Sequence, residues 1–466
     1  MLQLQHYESY KGTEYDWLPV VPESWERLPI RTILSLSDER NRHREDLELL
    51  SVYREYGVIR KSSRNDNRNV ESQDLSKYKY VEPDFLVMNK MKMWQGSLGI
   101  SELYGIVSPA YIVCRLSTNA NLKYLHMLLR SPAFKTFYNR ISYGIRVGQW
   151  DMHYDDFKKL ILYMPSQSEQ EHIVRFIDWK TSEMIRFVKE KKREIRLLKE
   201  LRLSLIDNAV THGINPTVSQ KDSGHAWIGN IPEHWEMLYS KKMFALRRGK
   251  ALPGDEQLTS SQKYGIISQK EFMRIENRRL TVVMTGDDIL KHVEAGDFVI
   301  SMRSFQGGIE YSTVSGKISS AYVMLIPNHD LVNGKYFKWL LKSPSYIKAL
   351  QGTSDLVRDG QALRYSNFAK VYLPHVPLAE QETIADYLDI MCPQIDEMIN
   401  ALRQEIIFVQ ELRTKTISDV VTGKVDVRNV KIPQYELETE ELADEEEPDE
   451  ESGEENDENT DEEVDE

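Results

Sequence analysis

The 466-residue chain is poor in cysteine, with only Cys114 and Cys392. They lie in different halves without a CxxC, which argues against a disulfide framework or a zinc site. No uninterrupted apolar run approaches the roughly 18 residues a membrane span needs, and no leader or lipidation motif is recognisable. A soluble, cytoplasmic protein is therefore expected. The phosphate-cradling G-x-x-x-x-G-K-[ST] is missing, as is G-x-G-x-x-G after a strand. The aromatic Asn-Pro-Pro motif of adenine methylation and its glycine-rich cofactor loop are missing too. A nuclease-like Asp…(Asp/Glu)-x-Lys does not fit, because Pro83-Asp84 leads to Met88-Asn89-Lys90 without a second carboxylate. His153 and His172 are isolated. The expectation is a chain with no catalytic residue, no metal and no bound cofactor.

Basic residues are absent from one stretch. Glu436 to Glu466 holds 20 of the 73 acidic residues and no Lys or Arg. The other 53 acids face 60 Lys plus Arg, so the formal net charge of −13 hides a body of about +7, the mild excess an electrostatic nucleic-acid binder carries. The acidic tail has too few apolar residues to offset the entropy of ordering and is expected to be disordered.

What the chain does have is itself, twice. PSQSEQEHIVRFID from Pro165 is echoed by PLAEQETIADYLD from Pro377, and LRLSLIDNAVTHG by LRTKTISDVVTGK. Glu169-Gln170-Glu171 and Glu380-Gln381-Glu382 stand 211 residues apart, as do Val210-Thr211 and Val421-Thr422. A duplication of this period means two copies of one structural unit.

Both echoing stretches predict helices. Ser166-x-x-Glu169 has the spacing of a capping box. Ile173, Phe176, Ile177, Met184, Phe187, Val188, Ile195, Leu198, Leu201 and Leu205 recur at three- and four-residue steps, as do Ile395, Met398, Leu402, Ile406, Val409 and Leu412. Pro393 should divide the second into a short helix and a long one. Narrow apolar stripes with charged opposite faces predict two long helices packed along one seam. A run of about 28 residues spans roughly 42 Å.

Ahead of each helix lies paired globular material, residues 17–164 and 227–376. Trp17 and Trp25 enclose LPVVPES, and Trp227 and Trp235 enclose IGNIPEH, which reads as a packing clamp where each domain begins. Tyr56-Gly57-Val58-Ile59 and Tyr264-Gly265-Ile266-Ile267 predict strands followed by polar loops. The first loop carries Arg60, Lys61, Arg64, Arg68 and Asn69, the second Gln269, Lys270, Asn277, Arg278 and Arg279. Arg and Lys suit guanine acceptors, and Asn and Gln suit adenine; an ordinary solvated loop has the same composition. Asp84-Phe85-Leu86-Val87 with Trp94-Gln95-Gly96 aligns with Asp297-Phe298-Val299-Ile300 and Phe305-Gln306-Gly307, each a buried strand and a turn. Those turns carry Lys90, Lys92 and Gln95 in one half, Arg303 and Gln306 in the other. Tyr124 to Pro132 matches Tyr336 to Pro344, a short amphipathic helix stopped by its proline. Arg146-Val-Gly148-Gln149 matches Arg358-Asp-Gly360-Gln361, and each arginine beside glycine could meet a phosphate or be tied to turn carbonyls.

Taken together, PESWERL and PEHWEML, NKMKMWQGS, SPAY, IRVGQWDM, EQEHIV, AEQETIADYLD and VTGKVDVR, ordered in duplicate over residues 17–428, resemble the specificity subunits of type I restriction–modification systems. The resemblance implies an α+β fold. Two duplicated globular α/β target-recognition domains, 1–164 and 214–376, would be separated by a coiled-coil spacer of long antiparallel helices, 165–213 and 377–428. Residues 429–466 would form a disordered acidic tail. Each domain would read one half of a bipartite asymmetric site in double-stranded DNA. Two methylation subunits would dock on the helices, and two restriction subunits would join them. S-adenosylmethionine, ATP and Mg would belong to those partners. A spacer of roughly 42 Å corresponds to about 12 base pairs at 3.4 Å each. A stand-alone or regulatory DNA-binding protein without a methylase is the alternative. Two features depart from the family. One is the acidic tail, which could solubilise the protein or mimic DNA; the other is His212-Gly213 standing where the second half has Gly423-Lys424.

Overall fold

The computed structural model describes residues 5–42, 47–54, 56–64, 74–144, 150–277, 289–301, 304–353 and 364–439. Helices are α1 (Leu122–Arg130), α2 (Pro132–Arg140), α3 (Gln167–His212), α4 (Gln269–Glu276), α5 (Gly334–Leu340), α6 (Pro344–Gln351) and α7 (Leu378–Val421). The chain divides into two compact units. The first takes the residues up to Lys191 and those from Arg403; the second takes Lys192 to Leu402. Each long helix is thus shared: its first half belongs to the unit before it, its second half to the other.

The first unit is built on a four-stranded antiparallel sheet of β1 (Leu34–Ser37), β2 (Leu86–Asn89), β3 (Leu98–Ile100) and β4 (Tyr111–Leu116), in the order β1-β4-β2-β3. Alternation along β2 sends Leu86 and Met88 to one face and Val87 to the other. Leu86 and Met88 join the main core with Tyr124, Leu128 and Phe134 of α1 and α2, Ile173 and Phe176 of α3, and Val420 and Val421 of α7. Val87 packs with Leu50, Val52, Val81, Val107 and Val113 in a second cluster. The second unit repeats this with β5 (Phe244–Leu246), β6 (Phe298–Ile300), β7 (Glu310–Tyr311) and β8 (Val323–Pro327), in the order β5-β8-β6-β7. Phe298 and Ile300 enter its main core with α5, Ile384 and Leu388 of α7 and Ile206 and Val210 of α3. Val299 lies with Leu258, Ile266 and Met324 on the other face.

This pairing corrects the alignment read from the letters. Leu86 and Met88 correspond to Phe298 and Ile300, not to Val299 and Ser301. Asp84, with φ 67°, then falls on Gly296, with φ 100°, and Gly96 (88°) on Gly308 (84°) rather than on Gly307. A one-residue slip in a strand exchanges the faces, so burial decides between two alignments that score alike as text.

The long helices differ from expectation in four ways. They are longer, at 46 and 44 residues. Pro393 does not divide α7. An interior proline costs about 3 kcal/mol, and buried Leu388, Cys392 and Ile395 on its two flanks hold the helix to the second unit's interior. Phe187, Leu201, Met398 and Leu412, expected in the seam, are exposed. Ser166 Oγ does accept from the Glu169 amide (3.4 Å), but the Glu169 carboxylate turns to Tyr7 and Trp25, so no reciprocal box forms. Segments of α3 and α7 are joined within each unit by Lys191–Glu405 (3.3 Å) and by Arg202–Asp396 (2.9 Å).

Pro132 and Pro344 stop α1 and α5 as expected, and they also open α2 and α6, where a missing N–H costs nothing. After α7 the chain runs back over the first unit. Asp426 bridges to Gln5, Val430, Ile432 and Tyr435 pack on the core, and Glu438 meets Ser182 and Lys189 of α3. The acidic residues from 440 onward lie outside the described residues.

Candidate nucleic-acid interface

In the first unit, strands Leu50–Tyr53 and Gly57–Arg60 pair from Leu50↔Arg60 to Tyr53↔Gly57. Leu50 and Val52 bury their side chains in the second cluster, which fixes the hairpin's base. Gly57 takes φ +77°, a conformation open to glycine without steric cost. A β-carbon on Gly99 would lie 3.0 Å from Gly57 Cα, and Ser97 Oγ donates to the Val52 carbonyl at 2.9 Å. The hairpin is therefore held against the turn that leads into β3. That turn is the 3-10 segment Met93–Gln95, closed by Gly96 in the left-handed region.

Of the candidate cations in the first half, the described ones lie on or next to these two elements. Arg60 Nε pairs with Glu48 at 2.5 Å, and Lys90 with Asp151 at 3.1 Å. The Arg64 guanidinium lies 5.6 and 5.3 Å from the ring centres of Tyr53 and Tyr56, within cation–π range. Lys61 opens the short turn after the hairpin. Lys92 is exposed and Gln95 half-buried beside Trp94, whose ring meets Trp150 edge-on at 5.3 Å. Trp94 Nε1 and Asn89 Oδ1 are buried without a hydrogen-bond partner.

The second unit repeats the device with different chemistry. Leu258–Ser261 pairs with Gly265–Ser268, and Gly265 has φ +70°. The polar loop expected after it is instead α4, on which Lys270 is exposed at 3.7 Å from Glu256. Helix formers Gln269, Lys270, Glu271 and Met273 explain that outcome. Gln306 is exposed on Ser304–Gly307, and Gln262 of the hairpin turn packs against Gly307. Gln262 Nε2 is buried without a partner. Arg68, Arg146, Gln149, Arg278, Arg279, Arg303, Arg358 and Gln361 lie outside the described residues.

Residues not singled out from the sequence as site candidates complete the arrangement. Tyr53 and Tyr56 supply the aromatic shelf for Arg64, and only the hairpin register places them on one end of it. Gln262 carries no signal in the sequence beyond being polar. The repeated Trp, EQE and Val-Thr motifs prove to be structural. Trp25 and Trp235 donate to Glu169 and Glu380 (both 3.1 Å), and Tyr124 and Tyr336 hydroxyls donate to the Val421 and Val210 carbonyls (2.9 and 2.7 Å). Buried Gln170 and Gln381 accept from Asn121 and Asn333, the N-cap residues of α1 and α5. Gly213 and Gly423, one position apart in the 211-residue register, both end their helix in the left-handed region (φ 76° and 74°) against Trp235 and Trp25. Each long helix is thus followed by a left-handed glycine packed against the tryptophan of the motif that opens its unit.

Among the described residues no group of His, Cys, Asp or Glu is arranged to hold a metal, and no helix is long and apolar enough to cross a membrane. In the first unit a groove of about 530 Å³ opens between Pro132 and the α7 residues Ile407, Thr414 and Ser418.

Each copy of this α+β unit thus sets a glycine-turned hairpin beside the turn that leads into the next strand of its sheet. Residues 232–407 match the family described as type I restriction modification DNA specificity domain. The type I restriction enzyme MjaVIII specificity subunit of Methanocaldococcus jannaschii is 22% identical over 286 residues, 59% of this chain and 64% of that relative. The match thus spans just under two thirds of the relative's length. A chain from work on complex assembly and conformational transition of the type I R-M system superposes with TM-score 0.59 at 13% identity, covering 86% of this chain and 98% of that one. The HsdS subunit from Thermoanaerobacter tengcongensis gives TM-score 0.47 at 16% identity, over 88% and 99% of the two chains. Over residues 232–407 the chain thus carries a type I restriction modification DNA specificity domain, and it is similar to a specificity subunit of these enzymes.

Proposed function

We propose that this chain gives a type I restriction–modification complex its DNA sequence specificity, each unit reading one half of a bipartite, asymmetric double-stranded site. The observation that carries this reading is the same hairpin-and-turn device in both units, bearing Arg, Lys and Gln side chains. Such groups match guanine and adenine edges in the major groove, at about 1–3 kcal/mol of discrimination for each good bidentate pair. Arg60, Lys90 and Lys270 now pair with half-exposed acids. Exposed ion pairs are worth little, so exchanging a carboxylate for a phosphate costs little. A short 3-10 turn follows one hairpin and the eight-residue helix α4 the other, which favours two different half-sites over a palindrome.

The long helices are the spacer and the docking surface in this proposal. Phe187, Ile407, Phe408 and Leu412 in the first unit are exposed, as are Leu197, Leu201, Ile390 and Met398 in the second. In this proposal they supply the contact surface, as contiguous exposed apolar patches do at interaction sites. Two methylation subunits dock there and two restriction subunits join them. S-adenosylmethionine, ATP and Mg belong to those partners, and this chain holds none of them. The test is base-resolved adenine methylation of the source genome with and without this chain. Loss of methylation at one bipartite motif with a fixed gap supports the reading. Unchanged methylation overturns it in favour of a DNA-binding protein of another kind.

A further inference from the structure

The turn of each hairpin is held by a cation that the DNA-reading proposal does not use. Arg130, in the last turn of α1, donates Nη2 to the Arg54 carbonyl at 2.7 Å and Nη1 to the Leu98 carbonyl at 3.0 Å. It therefore clamps the hairpin turn to strand β3. A β-carbon on Gly57 would come within 2.7 Å of Nη1, so the returning strand lies directly on the guanidinium. In the second unit Lys342, two residues beyond α5, donates Nζ to the Gln262 carbonyl at 3.2 Å. The same Nζ meets both carboxylate oxygens of buried Glu310 on β7 at 2.8 and 2.9 Å. Arg54 and Gln262 are each the first residue after the outgoing strand, which ends at Tyr53 and at Ser261. Arg130-Ser131-Pro132 and Lys342-Ser343-Pro344 occupy matching places at the α1–α2 and α5–α6 junctions.

Two units with divergent hairpins have kept one solution: a cation at the helix junction grips the first turn carbonyl and ties it to the strand that follows the cation-bearing turn. We infer that Arg130 and Lys342 are positioning residues that fix the reading hairpin of their own unit, and so set how strictly that half-site is read without touching DNA. The inference rests on the proposed function. A hairpin turn without this grip samples several poses and forms its base-edge contacts in only some of them. Discrimination then falls while non-specific phosphate attraction stays.

The experiment replaces Arg130 by Met or Lys, and separately Lys342 by Met, in the full-length chain in its source strain. Single-molecule sequencing then reads adenine methylation across the genome. A mismatched base pair ordinarily weakens specific binding by about 5- to 150-fold. Expected is a fall of roughly fivefold or more in discrimination within one half of the motif, with the other half as strict as in the wild type. Arg130 and Lys342 variants should relax opposite halves. R130K, which reaches fewer of the carbonyls, should give an intermediate loss. The salt dependence of duplex binding by the purified variants should keep the wild-type slope, because a lost phosphate contact would flatten it by about one unit. Equal relaxation of both halves, an unchanged motif or a flatter slope overturns the inference. If R130M accumulates poorly, R130K and K342M carry the same comparison. A wild type that methylates no bipartite motif refutes the proposed function instead, which keeps the two failures apart.

Discussion

Trp25 and Glu169, 144 residues apart, are joined by a hydrogen bond of 3.1 Å from the indole Nε1 to Oε1. The same carboxylate oxygen accepts from the Tyr7 hydroxyl at 2.7 Å. Trp235 repeats the bond to Glu380, where His234 Nε2 lies 2.7 Å from the same oxygen. The Pro-Glu-x-Trp motif that opens each half and the Glu-Gln-Glu motif that opens each long helix are therefore two ends of one contact. It locks the start of a domain onto the first turn of the helix that leaves it.

Replacing Glu169 with Ala leaves the buried Trp25 and Tyr7 donors unpaired. An unsatisfied buried donor costs about 1–3 kcal/mol. E169A is expected to be destabilised by about 2–4 kcal/mol in denaturant titrations, and E169Q, which keeps an acceptor oxygen, by less than half as much. Equal losses for the two variants would show that the carboxylate charge, not the hydrogen bonds, holds the contact.

The two helix-ending glycines give an ordered pair of outcomes. A β-carbon on Gly423 would press into the Pro22 ring and come within 3.0 Å of the Trp25 indole, whereas on Gly213 it would meet nothing nearer than 3.4 Å. Both positions have φ near +75°, which costs an L-residue about 1 kcal/mol. G213A should therefore lose about 1 kcal/mol and G423A clearly more, read as the shift in thermal midpoint. A milder G423A would mean that the first unit's clamp yields where the structure has it tight.

How much of this was legible beforehand follows the chemistry of each signal. The duplication, both long helices and the paired strands were readable, because period and turn residues are local properties. Pro393 misled, since its cost is local but the burial of Leu388, Cys392 and Ile395 that offsets it is tertiary. The strand alignment slipped by one because Asp-Phe occurs in both halves, while only packing shows that Leu86 and Phe298 share a face. The exposed Phe187 and Met398 obey helical spacing as well as the buried residues do. Periodicity alone does not tell a buried face from an exposed one. Arg130 and Lys342 were visible as part of a matched segment, but their role depends on carbonyls more than 30 residues away.

His126 predicts an acid-sensitive first unit. Burial, and then the neighbouring Arg130, push its imidazole down to about 3, while the Ile100 amide donates to Nδ1 at 3.1 Å. Lys123 adds a smaller push in the same direction. The folded pKa is below the unfolded value near 6.5, so between these values the unfolded chain binds a proton that the folded chain does not. Stability from this residue is complete above about pH 6.5 and declines as pH falls toward 3, by at most about 1.4 kcal/mol per pH unit. H126N keeps an acceptor for Ile100 and does not titrate. Its melting curves should match the wild type near pH 8 within about 1 kcal/mol and decline less steeply between pH 6 and 4. Parallel pH profiles would place the acid sensitivity elsewhere.

If the first unit reads DNA as proposed, Lys92 and its neighbour Gln95 separate phosphate attraction from base reading. It is exposed at the start of the Met93–Gln95 turn, beside the hairpin that Ser97 ties in place. A cation that contacts phosphate contributes to affinity for every sequence and releases about one counterion on binding. K92A is expected to weaken binding to target and non-target duplexes by the same factor. It should also flatten the plot of log affinity against log salt by about 0.9. Gln95, one helical turn on, can read a base edge but carries no charge. Q95A should leave that slope unchanged and lower affinity for the target alone, with each lost bidentate contact worth about 1–3 kcal/mol. Measuring both variants on the same duplexes over a salt series decides the assignment. If K92A discriminates between sequences and Q95A does not, the two roles are exchanged. If neither variant changes binding, the turn faces away from DNA and the hairpin must read the half-site by itself.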